Sequence, residues 1–126
     1  KNNMALEYFH EPREQLPEEM IDQHRAFASL IEELEAANWY NERRAMTKNP
    51  DLKAVLEHHR DEELEHAAML IEWLRRSMPS FAEELDTYLN TSMPITQVEE
   101  AEEGNGSEKS ENKNSDSSSL NIGSMK

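Results

Sequence analysis

Two long stretches without glycine or proline, Glu18 to Met46 and Asp51 to Met78, flank a turn around Asn49-Pro50. That arrangement permits few folds. Both stretches are rich in helix formers and repeat their apolar residues at helical spacing: Leu30, Leu34 and Ala37 in the first, Leu56, Leu64, Ala67, Leu70, Ile71 and Leu74 in the second. Pro17 followed by Glu18 and Glu19 marks a helix start, because proline suits the first turn and early acids complement the helix dipole. Arg43 and Arg44 close the first helix, and Arg75 and Arg76 the second, before Pro79 ends it. Helices over 17–46 and 51–77 with so short a turn fold back as an antiparallel αα-hairpin. A shorter helix is expected over 80–90, with Phe81, Leu85, Tyr88 and Leu89 as its apolar face, and one more turn over 94–98. No period-two pattern appears, so the class is all-α: a two-helix hairpin plus a short C-terminal helix.

A lone hairpin leaves much of its apolar surface uncovered, and composition does not help. Only 36% of the 126 residues are apolar, against about 45–50% in ordinary globular chains. Residues 1–16, with Pro12 and no sustained periodicity, read as an extended lead-in. Residues 17–100 are the hairpin domain. Residues 101–119 carry no apolar side chain beyond Ala101 and cannot offset the entropy of being ordered, so they read as a disordered acidic linker. Leu120-Asn121-Ile122-Gly123-Ser124-Met125-Lys126 turns apolar again, which suits a docking peptide on a tether as well as it suits a frayed terminus. About one hundred residues remain to form a core, which is small for a unit folding alone.

The net charge of −14 argues against nucleic acid and anionic membrane surfaces as partners, since both would repel it. No cysteine is present, which excludes disulfides and thiolate metal sites. No apolar run approaches the length of a membrane span or a leader core, and a soluble cytoplasmic protein is the expectation.

One spacing could carry chemistry. Di-iron sites in helical bundles take a Glu from each of two helices and Glu-x-x-His from each of two others. Residues three apart share a helix face, so carboxylate and imidazole converge on one ion. Glu63-Leu64-Glu65-His66 fits on the second helix, on a stripe with Leu56, His59 and Leu70 that points towards an interior, where His59 is expected as a hydrogen-bonded interior histidine. Glu7-Tyr8-Phe9-His10 also matches, but lies ahead of Pro12 with no sustained helix around it. The lone Glu of the first helix could be Glu32, Glu33, Glu35 or Glu42. Glu33 is the best flanked, on a stripe with Ala26, Leu30, Ala37 and Tyr40, while Glu32 stays open. The chain therefore holds one copy of each element, half a site. A twofold dimer would complete the site and cover the apolar faces together.

Several longer runs are similar to the encapsulated ferritins: His24-Arg25-Ala26, Glu32-Glu33-Leu34-Glu35-Ala36 with Trp39-Tyr40, Arg60-Asp61-Glu62-Glu63, Glu65-His66-Ala67-Ala68-Met69, Glu72-Trp73-Leu74-Arg75-Arg76, Thr87-Tyr88-Leu89 and Pro94-Ile95-Thr96. The resemblance covers about residues 10–103. It implies hairpin subunits that pair into a ferritin-like four-helix bundle and assemble further into an annular decamer. It also implies a ferroxidase that oxidises Fe(II) with oxygen at a di-iron centre between two subunits. The implied ligands are Glu33, Glu63 and His66, with Tyr40 close by. Glu32, Glu35 and Trp39 match a metal-admission site, and His58, Glu62 and Glu65 a further divalent-cation site for which calcium is the candidate. The tail resembles the peptides that load cargo into encapsulin shells, through Leu120, Ile122, Gly123, Ser124 and Met125. Met125 replaces the usual aliphatic residue and can fill a similar pocket. The implied setting is a bacterial or archaeal cytoplasm, inside an encapsulin nanocompartment where the iron is stored as mineral. A rubrerythrin-like peroxidase is disfavoured by the missing second Glu-x-x-His and the absence of cysteine; a non-catalytic helical adaptor is the alternative from another class.

Overall fold

Pro17 and Asn49 set where the two long helices begin. The structure, a computed structural model, describes residues 9–111, and within them every regular element is helical. Helix α1 spans Glu18–Met46 with Pro17 at its N-cap, acids in the first turn and Arg43 and Arg44 in the last. Helix α2 spans Pro50–Ser77. It starts one residue earlier than the breaker run suggests. The Asn49 side chain accepts the Leu52 amide at 3.0 Å, and Pro50, having no amide proton to satisfy, occupies the first helical position without loss.

Met78 alone separates α2 from helix α3, Pro79–Tyr88. Proline thus ends one helix and begins the next. The Thr91 hydroxyl donates to the Tyr88 carbonyl at 2.8 Å, and Asn90 takes the left-handed conformation (φ 60°) that asparagine tolerates. Helix α4 runs Ile95–Glu111. It is longer than the single turn expected over 94–98, and reaches into the 101–119 segment read as a disordered linker. The physical reason is that a helix satisfies its backbone internally: Glu99, Glu100, Ala101, Glu102 and Glu103 are good helix formers that need no core. The lead-in also differs in part from expectation, because Arg13–Gln15 forms a short 3-10 turn. Residues 112–126, and with them the docking-peptide assignment, lie outside the described residues.

Residues 9–83 and 84–111 form two units. In the first, α1 and α2 lie along each other, and the seam between them is built from small residues. Ala26 and Ala37 on α1 and Ala67 on α2 are buried, with Leu74 fully so. Two cross-links span the seam: Gln23 Nε2 donates to Ser77 Oγ at 3.0 Å, and Arg60 Nη1 to Asn41 Oδ1 at 2.8 Å. Near the end of α2, Glu72 accepts from Arg75 Nε at 2.6 and 2.8 Å, and this guanidinium holds its carboxyl below the ordinary range.

The core is thin, and larger apolar side chains point outward: Leu34 is 46% exposed, Leu64 48% and Met69 64%. Apolar surface on this scale marks an interaction face. Because Leu74 is the one fully buried large side chain among the described residues, Leu74→Ala is expected to cost about 2–5 kcal/mol, read from urea unfolding of the intact chain.

Candidate metal centre

The alanines of the seam bring two carboxylates face to face. Glu33 lies midway along α1 on the same stripe as Ala26 and Ala37, and Glu63 midway along α2, one turn before Ala67. Both side chains are about three-quarters buried, at 26% and 24% exposure. His66, three residues beyond Glu63, swings its ring over the pair. Its Nδ1 lies 3.5 Å from Glu33 Oε2 and 3.6 Å from Glu63 Oε2. Among the described residues these three form the one group of three or more potential ligands, one donor atom of each lying within 4.8 Å of the others.

Burial makes the arrangement demanding. Glu33 Oε2 is buried and makes no hydrogen bond. A carboxylate oxygen removed from water without a hydrogen bond is costly, and a cation seated among the three side chains would offset that cost. Donors held by one ion at about 2.1 Å stand roughly 3.0–3.4 Å apart. The observed 3.5 and 3.6 Å fall just outside that range, so a small closing movement would seat an ion. Two carboxylate oxygens and one imidazole nitrogen suit divalent iron, manganese or zinc better than a thiophilic metal. The carboxylates face Nδ1, so the metal-binding tautomer of His66 carries its proton on Nε2.

The other residues singled out from sequence are placed less centrally. Tyr40 shares the Glu33 stripe, is half-buried and meets the His59 ring edge-on, with centroids 5.2 Å apart and Arg43 over its face at 5.7 Å. His59 was expected to be interior but is exposed in the single chain. Glu32 is half-buried, while Glu35 is exposed and accepts a long 3.4 Å hydrogen bond from the Trp39 indole. His58 Nε2 and Glu62 pair at 2.9 Å on the exposed face of α2, but Glu65 does not complete a three-ligand group with them within the chain. Sequence reading missed the Arg60–Asn41 bridge across the seam and the stacking of Phe9 on His24, at 4.0 Å between centroids. Neither has a sequence signal, because each joins residues far apart on different elements.

The chain is similar to several known proteins. The family model described as EncFtn-like matches residues 8–92. The "Encapsulated ferritin-like protein" of Rhodospirillum rubrum is 49% identical over 121 residues, 93% of this chain and 86% of that protein. The "Ferritin-like protein" of Thermotoga maritima is 53% identical over 105 residues, 83% of this chain and 90% of that one. A crystal structure of a Nitrosomonas europaea protein aligns with a TM-score of 0.67 at 54% identity, covering 69% of this chain and 96% of that chain.

Proposed function

The chain belongs to the EncFtn-like family, and from that premise we propose that two copies pair across Glu33, Glu63 and His66 to form a di-iron centre that oxidises Fe(II) to Fe(III) with oxygen. The observation that carries this reading is the buried Glu33 oxygen, unpartnered and facing a second carboxylate and an imidazole. One chain supplies two carboxylates and one imidazole. Two chains supply four and two, the full donor set of a carboxylate-bridged di-iron bundle. Two ferrous ions would bring four positive charges to four carboxylates, so the loaded site is neutral.

Iron is the substrate here, and oxygen takes the electrons it gives up. Glu33 and Glu63 hold the ions as hard oxygen donors, and His66 presents the Nδ1 lone pair. The carboxylates stabilise the higher charge of the ferric product more than that of the ferrous substrate, which favours oxidation. Leu34 and Leu64, exposed in the single chain, line a groove with Ala37, Asn38, Asn41 and Arg60 that a second copy would cover. Dimers would assemble further into an annular decamer. Glu32 and Glu35 with Trp39 would admit iron, and His58, Glu62 and Glu65 would hold a further divalent cation, calcium among the candidates.

The test is direct. Fe(II) is added without oxygen, oxygen is then admitted, and ferric absorbance is followed. The expected result is rapid oxidation saturating at two irons per dimer; a rate no faster than in buffer would reject the reading.

The printed description of the Rhodospirillum rubrum relative as encapsulated supports a further proposal: Leu120, Ile122, Gly123, Ser124 and Met125 dock the protein inside an encapsulin nanocompartment in the cytoplasm. The ferric product would then be stored in the shell. Deleting residues 120–126 is expected to leave oxidation within about twofold of the full chain and to abolish co-purification with the shell protein. Loading that survives the deletion would remove the docking assignment.

A further inference from the structure

The cation-binding centre accounts for the acids of the seam but not for a basic recess on the outer face of α1. Phe9, Arg13, His24, Arg25, Ala28 and Glu32 line a cavity of about 430 Å³, within the roughly 300–1,000 Å³ range of small-molecule sites. In a chain with 27 acidic and 13 basic residues, two guanidinium groups at one recess run against the overall charge.

The recess is held in shape by its aromatic wall. Phe9 stacks on the His24 ring at 4.0 Å, and the Arg13 guanidinium lies 5.9 Å from the Phe9 centroid. These contacts bring Arg13, from the 3-10 turn, to the side of α1 that carries Arg25 and Glu32. Among the described residues no carboxylate pairs with Arg13. Arg25 gives Nη1 to Asp22 at 2.9 Å, which occupies one of its five N–H donors and leaves the others. His24 Nε2 is buried and makes no hydrogen bond. Against these donors stands one carboxylate of the lining, Glu32.

We propose that this recess binds a small, multiply charged oxyanion, a carboxylate or a phosphate, gripped by Arg13 and Arg25. The planar fork of each guanidinium matches two oxygens of such a group, and charge-assisted bonds of this kind are about twice as strong as neutral ones. Glu32 weakens the grip at the rim. The site is separate from the Glu33, Glu63 and His66 cluster, so oxyanion binding does not depend on the iron reading.

The experiment is isothermal titration calorimetry on the full metal-free chain, with inorganic phosphate in one arm and citrate in the other. Saturable binding of at least one anion is expected, and the arm that binds identifies the oxyanion class. Arg13→Gln is expected to weaken binding about tenfold, the usual scale for losing one charge-assisted partner. Glu32→Gln is expected to tighten it several-fold, because a repelling charge leaves the rim; a purely structural cavity would not respond in this opposite sense. No saturable heat with either anion overturns the proposal, as does an Arg13→Gln chain that binds like the parent. If circular dichroism shows that Arg13→Gln has lost helix, Arg25→Gln takes its place, and unchanged binding there is equally decisive.

Discussion

Replacing Glu63 or His66 with alanine is expected to lower the rate of ferrous oxidation by at least about 100-fold, because neither donor has a substitute nearby. Loss of groups that merely orient metal ligands costs about 10–100-fold, and loss of a ligand itself should exceed that. In a twofold dimer each substitution removes two of the six donors at once. The readout is ferric absorbance after oxygen is admitted to the iron-loaded protein. Glu19→Gln, on the exposed first turn of α1 and away from the cluster, should oxidise iron at the parent rate. Thermal unfolding in the absence of metal separates the two ways of losing activity. Glu63→Ala should be no less stable than the parent there, since it removes a carboxylate that repels Glu33. A Glu63→Ala protein that folds and still oxidises iron at full rate would dismiss the centre altogether.

The second large effect is expected on assembly. The donor atoms of Glu33 and Glu63 lie within 4.8 Å of each other. At that distance two like charges repel by about 3–4 kcal/mol at an effective dielectric constant near 20, and pairing two chains would double the number of such charges. A divalent cation converts this repulsion into attraction, so metal should drive the subunits together. At one hundred times its dissociation constant, a ligand bound only by the assembled state adds about 2.7 kcal/mol, or roughly a hundredfold in the association equilibrium. Sedimentation velocity should therefore show a small species in chelator and a larger one in Fe(II) under anaerobic conditions. Glu33→Gln with Glu63→Gln should weaken the dependence on metal, and association should then vary little between chelator and Fe(II). An assembly that is the same size in chelator and in metal for the parent protein would contradict this account of the interface.

Much of this architecture was legible from residue order. Helices α1 and α2 followed from two uninterrupted periodic stretches, and their boundaries came within a residue or two because Pro17, Asn49 and Pro79 act through local backbone chemistry. The longer reach of α4 was less legible. Composition speaks to whether a segment can bury a core, whereas a solvated helix needs none. His59 shows the same limit from another side: its stripe predicted an interior, but a helix face becomes interior only if something covers it, and one chain does not cover this one.

The centre divides in the same way. Spacing alone put Glu63 and His66 on one helical face, and the flanking alanines made Glu33 the best of four acids, since helical geometry is a property of a single segment. That Glu33 and Glu63 face each other, that His66 Nδ1 reaches both, and that one Glu33 oxygen is left buried without a partner were decided only by the packing of α1 against α2. The same holds for the recess of Arg13, Phe9 and His24. Register between two helices depends on how side chains of both interdigitate, and no pattern within either helix specifies it. Sequence determined which groups were available and which way each helix presents them; tertiary structure decided which of those groups meet.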